Sequence, residues 1–314
     1  MDFGLHLGTR GIAATPQGLT ALAQRADALG FGHLGFSDHI VIARQVDSRY
    51  PYNESGDWPA VDTGTCLDQL GCMLFAGALT KNIRLLSSVM VLPHRPPLQA
   101  AKLIATADTL TGGRVTIGVG IGWMAEELAL LGSPPFERRG KASDEYIQAF
   151  RRLWRDPEPA MDGEFVKFDG LFFEPKPPQA GGPPIWVGGE GGPARRRAGR
   201  LGDAWYPTIR NPKIPLDSAE RFAAGFAEVR AQAEAAGRDP STLDAAIFAP
   251  GYSLGAVSGA RMSFTGTAEQ IAGDARAFAA AGVKHIVIGF ESNDLAESLD
   301  RLERFAAEVM PLVP

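Results

Sequence analysis

The stretch Ile83–Trp123, IRLLSSVMVLPHRPPLQAAKLIATADTLTGGRVTIGVGIGW, decides the fold. Its opening run, Leu85 to Leu92, is rich in Val and Leu and far too short to cross a membrane. Such a run predicts a strand buried on both faces. Pro96 and Pro97 follow, and proline suits the first helical position, where its missing N–H is no loss. Leu103, Ile104, Ala107 and Leu110 then recur at helical spacing, which predicts the buried face of a helix. Gly112 and Gly113 end that helix, because glycine takes a left-handed cap without strain. A second strand, Val115 to Ile121, begins at once. Strand, helix, strand is a crossover unit whose two strands run parallel.

Gly118, Gly120 and Gly122 sit two apart, so on a strand they share one bare face. Two readings are open: close packing inside a crowded barrel, or a flat ligand lying over the strand end.

Outward from this unit the pattern repeats. Phe3–Leu7, His33–Phe36, Ile185–Val187, Asp203–Pro207, Ala245–Phe248 and Ile286–Ile288 read as further strands. Helices are expected after Thr15-Pro16, over Thr65–Leu79 and Trp123–Leu131, and after a Ser143 cap. Others follow from Ala194, over Arg221–Ala236, after the Thr267/Gln270 capping box, and from Leu295 to Phe305. About eight such units predict an α/β architecture, the (β/α)8 TIM barrel, as a single domain over 1–314 with insertions near 43–64, 156–184 and 251–263. In the middle insertion, Glu164–Phe168 and Leu171–Phe173 flank Asp169-Gly170, a strong hairpin signal. GFGHLGF around Phe31 echoes GVKHIVIGF around Val283.

Composition bounds the function. With 45% hydrophobic and 21% charged residues and a net charge of -5, the chain is an ordinary globular protein with no nucleic-acid footprint. Cys66 and Cys72 make neither a disulfide framework nor a zinc site. The histidines His6, His33, His39, His94 and His285 are scattered, without metal-ligand spacing, so no metal is expected. No signal peptide and no membrane span are read, so a cytoplasmic protein is expected.

Parallel barrels place their chemistry at the carboxyl ends of the strands. Asp38-His39, just past His33–Phe36, is therefore a candidate site pair; otherwise Asp38 caps a turn and His39 is merely exposed. His94 and Arg95 meet an anion or a rim salt bridge. Loop 43–64, with Tyr50, Tyr52 and Trp58, is a lid or packs its aromatics on the rim. Gly188-Gly189-Glu190-Gly191 feeds a helix that begins Ala194-Arg195-Arg196, which suits a phosphate at a helix N-terminus or simply a tight turn. It matches neither the dinucleotide fingerprint nor the P-loop, and Glu190 adds a negative charge.

Together SDH at Ser37–His39, RLLSSVMVLPHRPP, TGGRVTIGVGIGWMAEEL, FFEPKPPQAGGPPIWVGGEGG and RLGDAWYP resemble the bacterial luciferase-like monooxygenase superfamily. More narrowly they resemble its oxidoreductases that use the deazaflavin coenzyme F-420. The resemblance implies a homodimeric barrel whose cofactor ring lies at the strand ends. It implies a non-prolyl cis peptide at Ser88-Val89 behind the ring, with Asp38 and His39 at its reactive face. Gly120, Gly122, Trp123 and Glu126 would edge the cofactor, and Gly188, Gly189, Glu190 and Gly191 would lie near its phosphate. One departure stands out: some deazaflavin enzymes carry Glu directly after the fourth-strand glycines, where this chain has Trp123, with Glu126 and Glu127 a turn further on. The implied activity is hydride transfer between F-420 and a small organic substrate, with His39 managing the proton. The alternatives are an FMN monooxygenase supplied by a partner reductase, and a non-catalytic flavin-binding protein.

Overall fold

In the computed structural model, which describes residues 1–58, 64–257 and 259–313, the chain closes into a barrel of eight strands. They are β1 (Asp2–Leu7), β2 (His33–Phe36), β3 (Arg84–Val91), β4 (Val115–Gly120), β5 (Ile185–Gly188), β6 (Ala204–Tyr206), β7 (Asp244–Ala249) and β8 (His285–Gly289). Their order around the barrel is β1-β8-β7-β6-β5-β4-β3-β2, and every adjacent pair is parallel. Outside lie α1 (Pro16–Ala28), α2 (Gln69–Leu79), α3 (Pro97–Leu110), α4 (Ala125–Leu130) and α5 (Arg139–Arg155), then α6 (Gly192–Leu201), α7 (Ala219–Ala235), α8 (Ala268–Ala280) and α9 (Leu295–Arg304). The expected TIM barrel is the fold.

Local chemistry sets the element ends. The Thr15 hydroxyl accepts from Gly18 N at the start of α1, and Thr267 and Gln270 form the reciprocal box that opens α8. Strand alternation sorts two cores. Leu5 and Leu7 face the helices, whereas Leu86, Trp186, Ala204, Tyr206, Ala246 and Val287 fill the barrel interior. The echo between β2 and β8 has a physical counterpart. His33 and His285, the matching residues, both hydrogen-bond Asp2 Oδ2, at 2.8 and 2.6 Å. Histidines scattered in sequence thus converge with a carboxylate, ligating atoms all within 4.8 Å, although these groups already satisfy one another.

Several expectations are corrected. The hairpin pairs Met161–Asp162 with Lys167–Phe168 and turns through Gly163–Val166, not at Asp169-Gly170; Phe172 is 97% exposed. Ser143 lies inside α5, its hydroxyl donating to the Arg139 carbonyl, and so caps nothing. On α3 Ala100, Ala101, Ile104, Ala105 and Ala107 are buried against the barrel. Leu103 and Leu110, expected on that face, are 44% and 74% exposed, so alanines with Ile104 make the buried stripe. Helix α2 begins at Gln69 under an Asp68 cap, which leaves Cys66 outside it.

The glycine face also reads differently. Between β3 and β4, Ser87 pairs with Ile117 and Met90 with Val119, so β3 carries one extra residue. There the Ser88-Val89 peptide is cis, as the resemblance implies. A Cβ on Gly118 would sit 2.2 Å from the Ser87 carbonyl oxygen, and one on Gly120 would sit 2.7 Å from Val89 Cγ2. The glycines are therefore not a bare floor. They admit the bulged β3 chain, and Val89 lies over them. Gly122 falls beyond the strand with φ +81, so it does not continue that face.

His6 of β1 points into the barrel against the Phe248 ring, 4.6 Å away between ring centres. Burial pushes its pKa down from 6.5 to about 4. Below pH 6.5 the unfolded chain takes a proton that the folded chain refuses, so stability is full above pH 6.5 and falls toward pH 4. At about 1.4 kcal/mol per unit, this one group contributes a loss of about 3 kcal/mol. Urea unfolding at pH 7.5 and 4.5 checks it: His6→Gln should lose correspondingly less than the natural chain. An equal loss in both proteins would discard the assignment.

Candidate active site

At the carboxyl ends of the strands the inner wall stays open. Gly8, Ser88, Val89, Gly120, Phe248 and Glu291 all keep partial solvent access there, so the mouth is a cup and not a plug.

His39 leaves β2 at this rim. Its Nδ1 lies 2.6 Å from Glu127 Oε2, and Glu127 is buried at the base of α4. The other carboxylate oxygen accepts from the backbone N–H of Ile40 at 2.7 Å and of Val41 at 3.2 Å. Burial opposes ionisation of Glu127, but the His39 hydrogen bond, the nearby His94 ring and the Ile40 amide outweigh it and hold the carboxyl below its ordinary value. An ionised carboxylate only accepts, so Nδ1 of His39 carries the hydrogen. Nε2 is then the ring nitrogen left to face a ligand.

Behind this pair sits His94, its Nε2 3.6 Å from Glu127 Oε2 and its Nδ1 3.7 Å from Asp38 Oδ2. Burial lowers its pKa, against the opposing pull of the Asp38 and Glu127 carboxylates.

Asp38 is not at the mouth. Its Oδ2 accepts from Val91 N and Arg95 Nη1, both at 2.8 Å, and its Oδ1 accepts from Arg95 Nη2 at 2.9 Å. The side chain is fully buried, so it anchors the turn that presents His39 and cannot touch a ligand. The Asp-His expectation therefore divides: His39 lies at the mouth and the Asp38 side chain lies buried behind it. Arg95 forms salt bridges and binds no anion, since Asp68 also takes its Nη2 at 2.7 Å.

Loop 43–64 closes over one side, its residues 59–63, Pro59 among them, lying outside the described residues. Trp58 packs on His39, with ring centres 4.5 Å apart, and the Arg10 guanidinium stacks 4.9 Å above Trp58. Trp123 meets Trp58 at 5.9 Å and Tyr50 at 5.3 Å. Glu126 does not edge the cup. It accepts from Asp47 N at 2.9 Å and Ser48 N at 3.0 Å, and so ties the loop down.

Across the mouth, Gly188 ends β5 and Gly189 turns the chain at φ +99. Glu190 points inward, accepting from Thr208 N at 2.9 Å and Asn211 Nδ2 at 2.7 Å, and burial raises its pKa. The negative charge expected beside a phosphate is thus drawn away. Gly191 then caps α6, whose first turn has no side-chain cap. Tyr206 reaches the cup floor through a 2.8 Å hydrogen bond with Ser88 Oγ.

Glu127, His6, Tyr206 and Glu291 were not among the candidates read from sequence. For Glu127 a signal existed: neighbours on a helix point about 100° apart, so one of Glu126 and Glu127 had to face the core. Which one required the tertiary contacts of β2.

Comparison with known proteins follows this geometry. The luciferase-like monooxygenase family model matches residues 1–256. An uncharacterized Mycobacterium tuberculosis protein, Rv0940c, is 30% identical over 297 residues, covering 93% of this chain and 94% of that protein. The FMNH(2)-dependent dimethylsulfone monooxygenase of Pseudomonas putida is 35% identical over 162 residues, 51% of this chain and 42% of that protein. Among solved structures, an F-420-dependent secondary alcohol dehydrogenase in complex with an F-420–acetone adduct superposes with TM-score 0.77 at 20% identity, covering 100% of this chain and 99% of the other. The monooxygenase RslO1 from Streptomyces bottropensis gives TM-score 0.75 at 21% identity, with 99% of each chain covered. The structural likenesses establish the shared fold, while the family match and the full-length relative go further: this chain belongs to the luciferase-like monooxygenase family, and it is an oxidoreductase or monooxygenase of flavin or deazaflavin type.

Proposed function

We propose that the protein is a deazaflavin-dependent oxidoreductase, transferring a hydride between coenzyme F-420 and a small organic substrate. The observation that carries this is His39, held in one tautomer by buried Glu127 at the edge of an open cup. The fit of the cofactor is supported by Val89 lying flat over Gly118, Gly120 and Gly188, which leaves no long side chain on that wall. It is supported too by the uncapped first turn of α6, where the helix N-terminus and the exposed Arg196 suit a phosphate, Arg195 being paired with Glu228. Gly188, Gly189 and Gly191 would line that arm, with Trp123 and Gly122 at the opposite edge.

When bound, the cofactor supplies the two-electron chemistry; the chain positions reactants and excludes water. His39 Nε2 holds or relays the accompanying proton, and Glu127 stabilises the imidazole as its charge changes. Trp58 and Trp123 shield that proton from bulk water. In the same reading the working unit is a homodimer.

An FMN-dependent monooxygenase is the second reading, favoured by the dimethylsulfone monooxygenase match over half of this chain. Titrating the purified protein with F-420 and with FMN, followed by fluorescence, tests the order. We expect micromolar or tighter F-420 binding; binding of FMN alone at that level would reverse the assignment.

A further inference from the structure

Glu291 lies two residues past β8 and is absent from the mechanism above. Alternation places it. Phe290 turns outward, packing its ring 5.8 Å from Phe31, 4.8 Å from Tyr252 and 5.1 Å from Phe305. Glu291 therefore turns inward, as Gly289 and Val287 do before it. Its Oε1 accepts from Gly8 N at 2.5 Å, just past the end of β1. A Cβ on Gly8 would point at Oε2 from 3.1 Å, so glycine there leaves room for the carboxyl.

Strand β1 lies between β2 and β8 in the barrel, so His39 and Glu291 emerge on either side of it. The arc between them is continuous: the Arg10 guanidinium stacks on Trp58, and Trp58 packs on His39. Glu291 also lines a cavity of about 730 Å³, shared with Arg10, Ser292, Asn293, Glu297 and Arg301 and open to solvent. Among the described residues the charged groups facing it are few. Arg10 comes from the β1 side. From α9, Arg301 donates to the Glu291 backbone carbonyl and pairs with Glu297 at 2.6 Å, while Asp294 caps the helix.

We propose that Glu291 is a second proton-exchanging residue of this mouth, facing a substrate that presents a carbonyl or hydroxyl oxygen. Burial pushes its pKa up to about 7, against the opposing pull of the Gly8 amide and Arg10. The neutral carboxyl donates a hydrogen bond to a carbonyl oxygen, and the ionised form accepts one from a hydroxyl. The inference rests on the hydride-transfer reading. The hydride supplied by reduced deazaflavin forms the new C–H bond, the C=O π pair moves to oxygen, and that oxygen takes the Glu291 proton. His39 would take the ring N–H proton that the oxidised cofactor gives up, and solvent exchange through the cavity would carry a proton back to the Glu291 carboxylate. Oxidation of an alcohol runs the same steps backwards.

Glu291→Gln keeps an oxygen for Gly8 N but exchanges no proton. Three measurements on both proteins decide the matter: deazaflavin affinity, a carboxyl titration by difference infrared spectroscopy, and single-turnover reduction of bound deazaflavin by a panel of small primary and secondary alcohols across pH 5–9. We expect equal cofactor affinity, a carboxyl titrating near neutrality in the natural protein only, and a ~10²-fold slower hydride step in the variant, with its pH-dependent limb near neutrality lost. Absence of deazaflavin binding overturns the cofactor reading, whatever Glu291 does. Bound cofactor with Glu291 titrating in the ordinary carboxylate range, or a variant with the natural rate and pH profile, overturns the Glu291 role alone. Bound cofactor reduced by no alcohol of the panel overturns the substrate class.

Discussion

His39→Ala and Glu127→Gln are each expected to lower the hydride step by about 10²–10⁴-fold while cofactor affinity changes little. That range is what a positioned acid or base ordinarily contributes. The alanine variant removes the only imidazole among the described residues that stacks on Trp58 at the mouth. The glutamine variant is the sharper test, because it keeps the shape of the side chain. Glu127 receives three N–H donors, from His39, Ile40 and Val41. A glutamine has only one acceptor oxygen. If its amide NH2 faces Ile40 and Val41, three donors crowd together; if it faces His39, Nδ1 must give up its hydrogen. The second arrangement moves the hydrogen to Nε2 and removes the free ring nitrogen from the cup. In the first arrangement the buried Ile40 and Val41 donors lack an acceptor, which costs about 1–3 kcal/mol of stability as well. Single-turnover kinetics with cofactor bound separate the effects. Full turnover by His39→Ala with cofactor in place would refute the proton role.

Arg95→Ala is expected to be the most destabilising single change near the site, by about 3–5 kcal/mol. Removing one partner of a buried ion pair strands the other charge without water. Here two carboxylates depend on one guanidinium, Asp38 through a two-pronged pair and Asp68 through a further hydrogen bond at 2.7 Å. Burial works against the Arg95 charge, yet Asp38 and Asp68 outweigh it and hold its pKa above the ordinary value. Arg95→Lys keeps the charge but cannot reproduce the planar fork, so it should fall between the two. Because Asp38 precedes His39, the alanine variant should also lose turnover through a displaced imidazole. Equilibrium urea unfolding gives the comparison; a change below about 1 kcal/mol would show that the network relaxes around the loss.

The places where sequence reading stopped are instructive. The barrel was legible because hydrophobic runs of strand length alternate with helical periodicity, and both follow from local geometry. The place of His39 was legible because it sits three residues past a strand whose carboxyl end must face the mouth. Asp38 was misassigned for a reason local pattern cannot supply. Its partner Arg95 lies beyond β3, and only the adjacency of β2 and β3 brings the two together. The glycines of β4 were correctly marked as a site of close approach. The approaching group is the neighbouring strand's own bulge, and Val89 rather than glycine forms the wall.

The same division runs through the whole molecule. Repeating units, element ends and the luciferase-like family are written in contiguous residues, since capping, turns and amphipathic faces are decided within a few positions of the chain. Charge states and contacts at the mouth are decided by groups far apart in sequence. Glu127 meets His39, Glu291 meets Gly8, and Asp2 joins His33 to His285 only once the barrel closes. Burial and Coulomb interaction depend on distance in space, and closure of β8 onto β1 is what sets that distance.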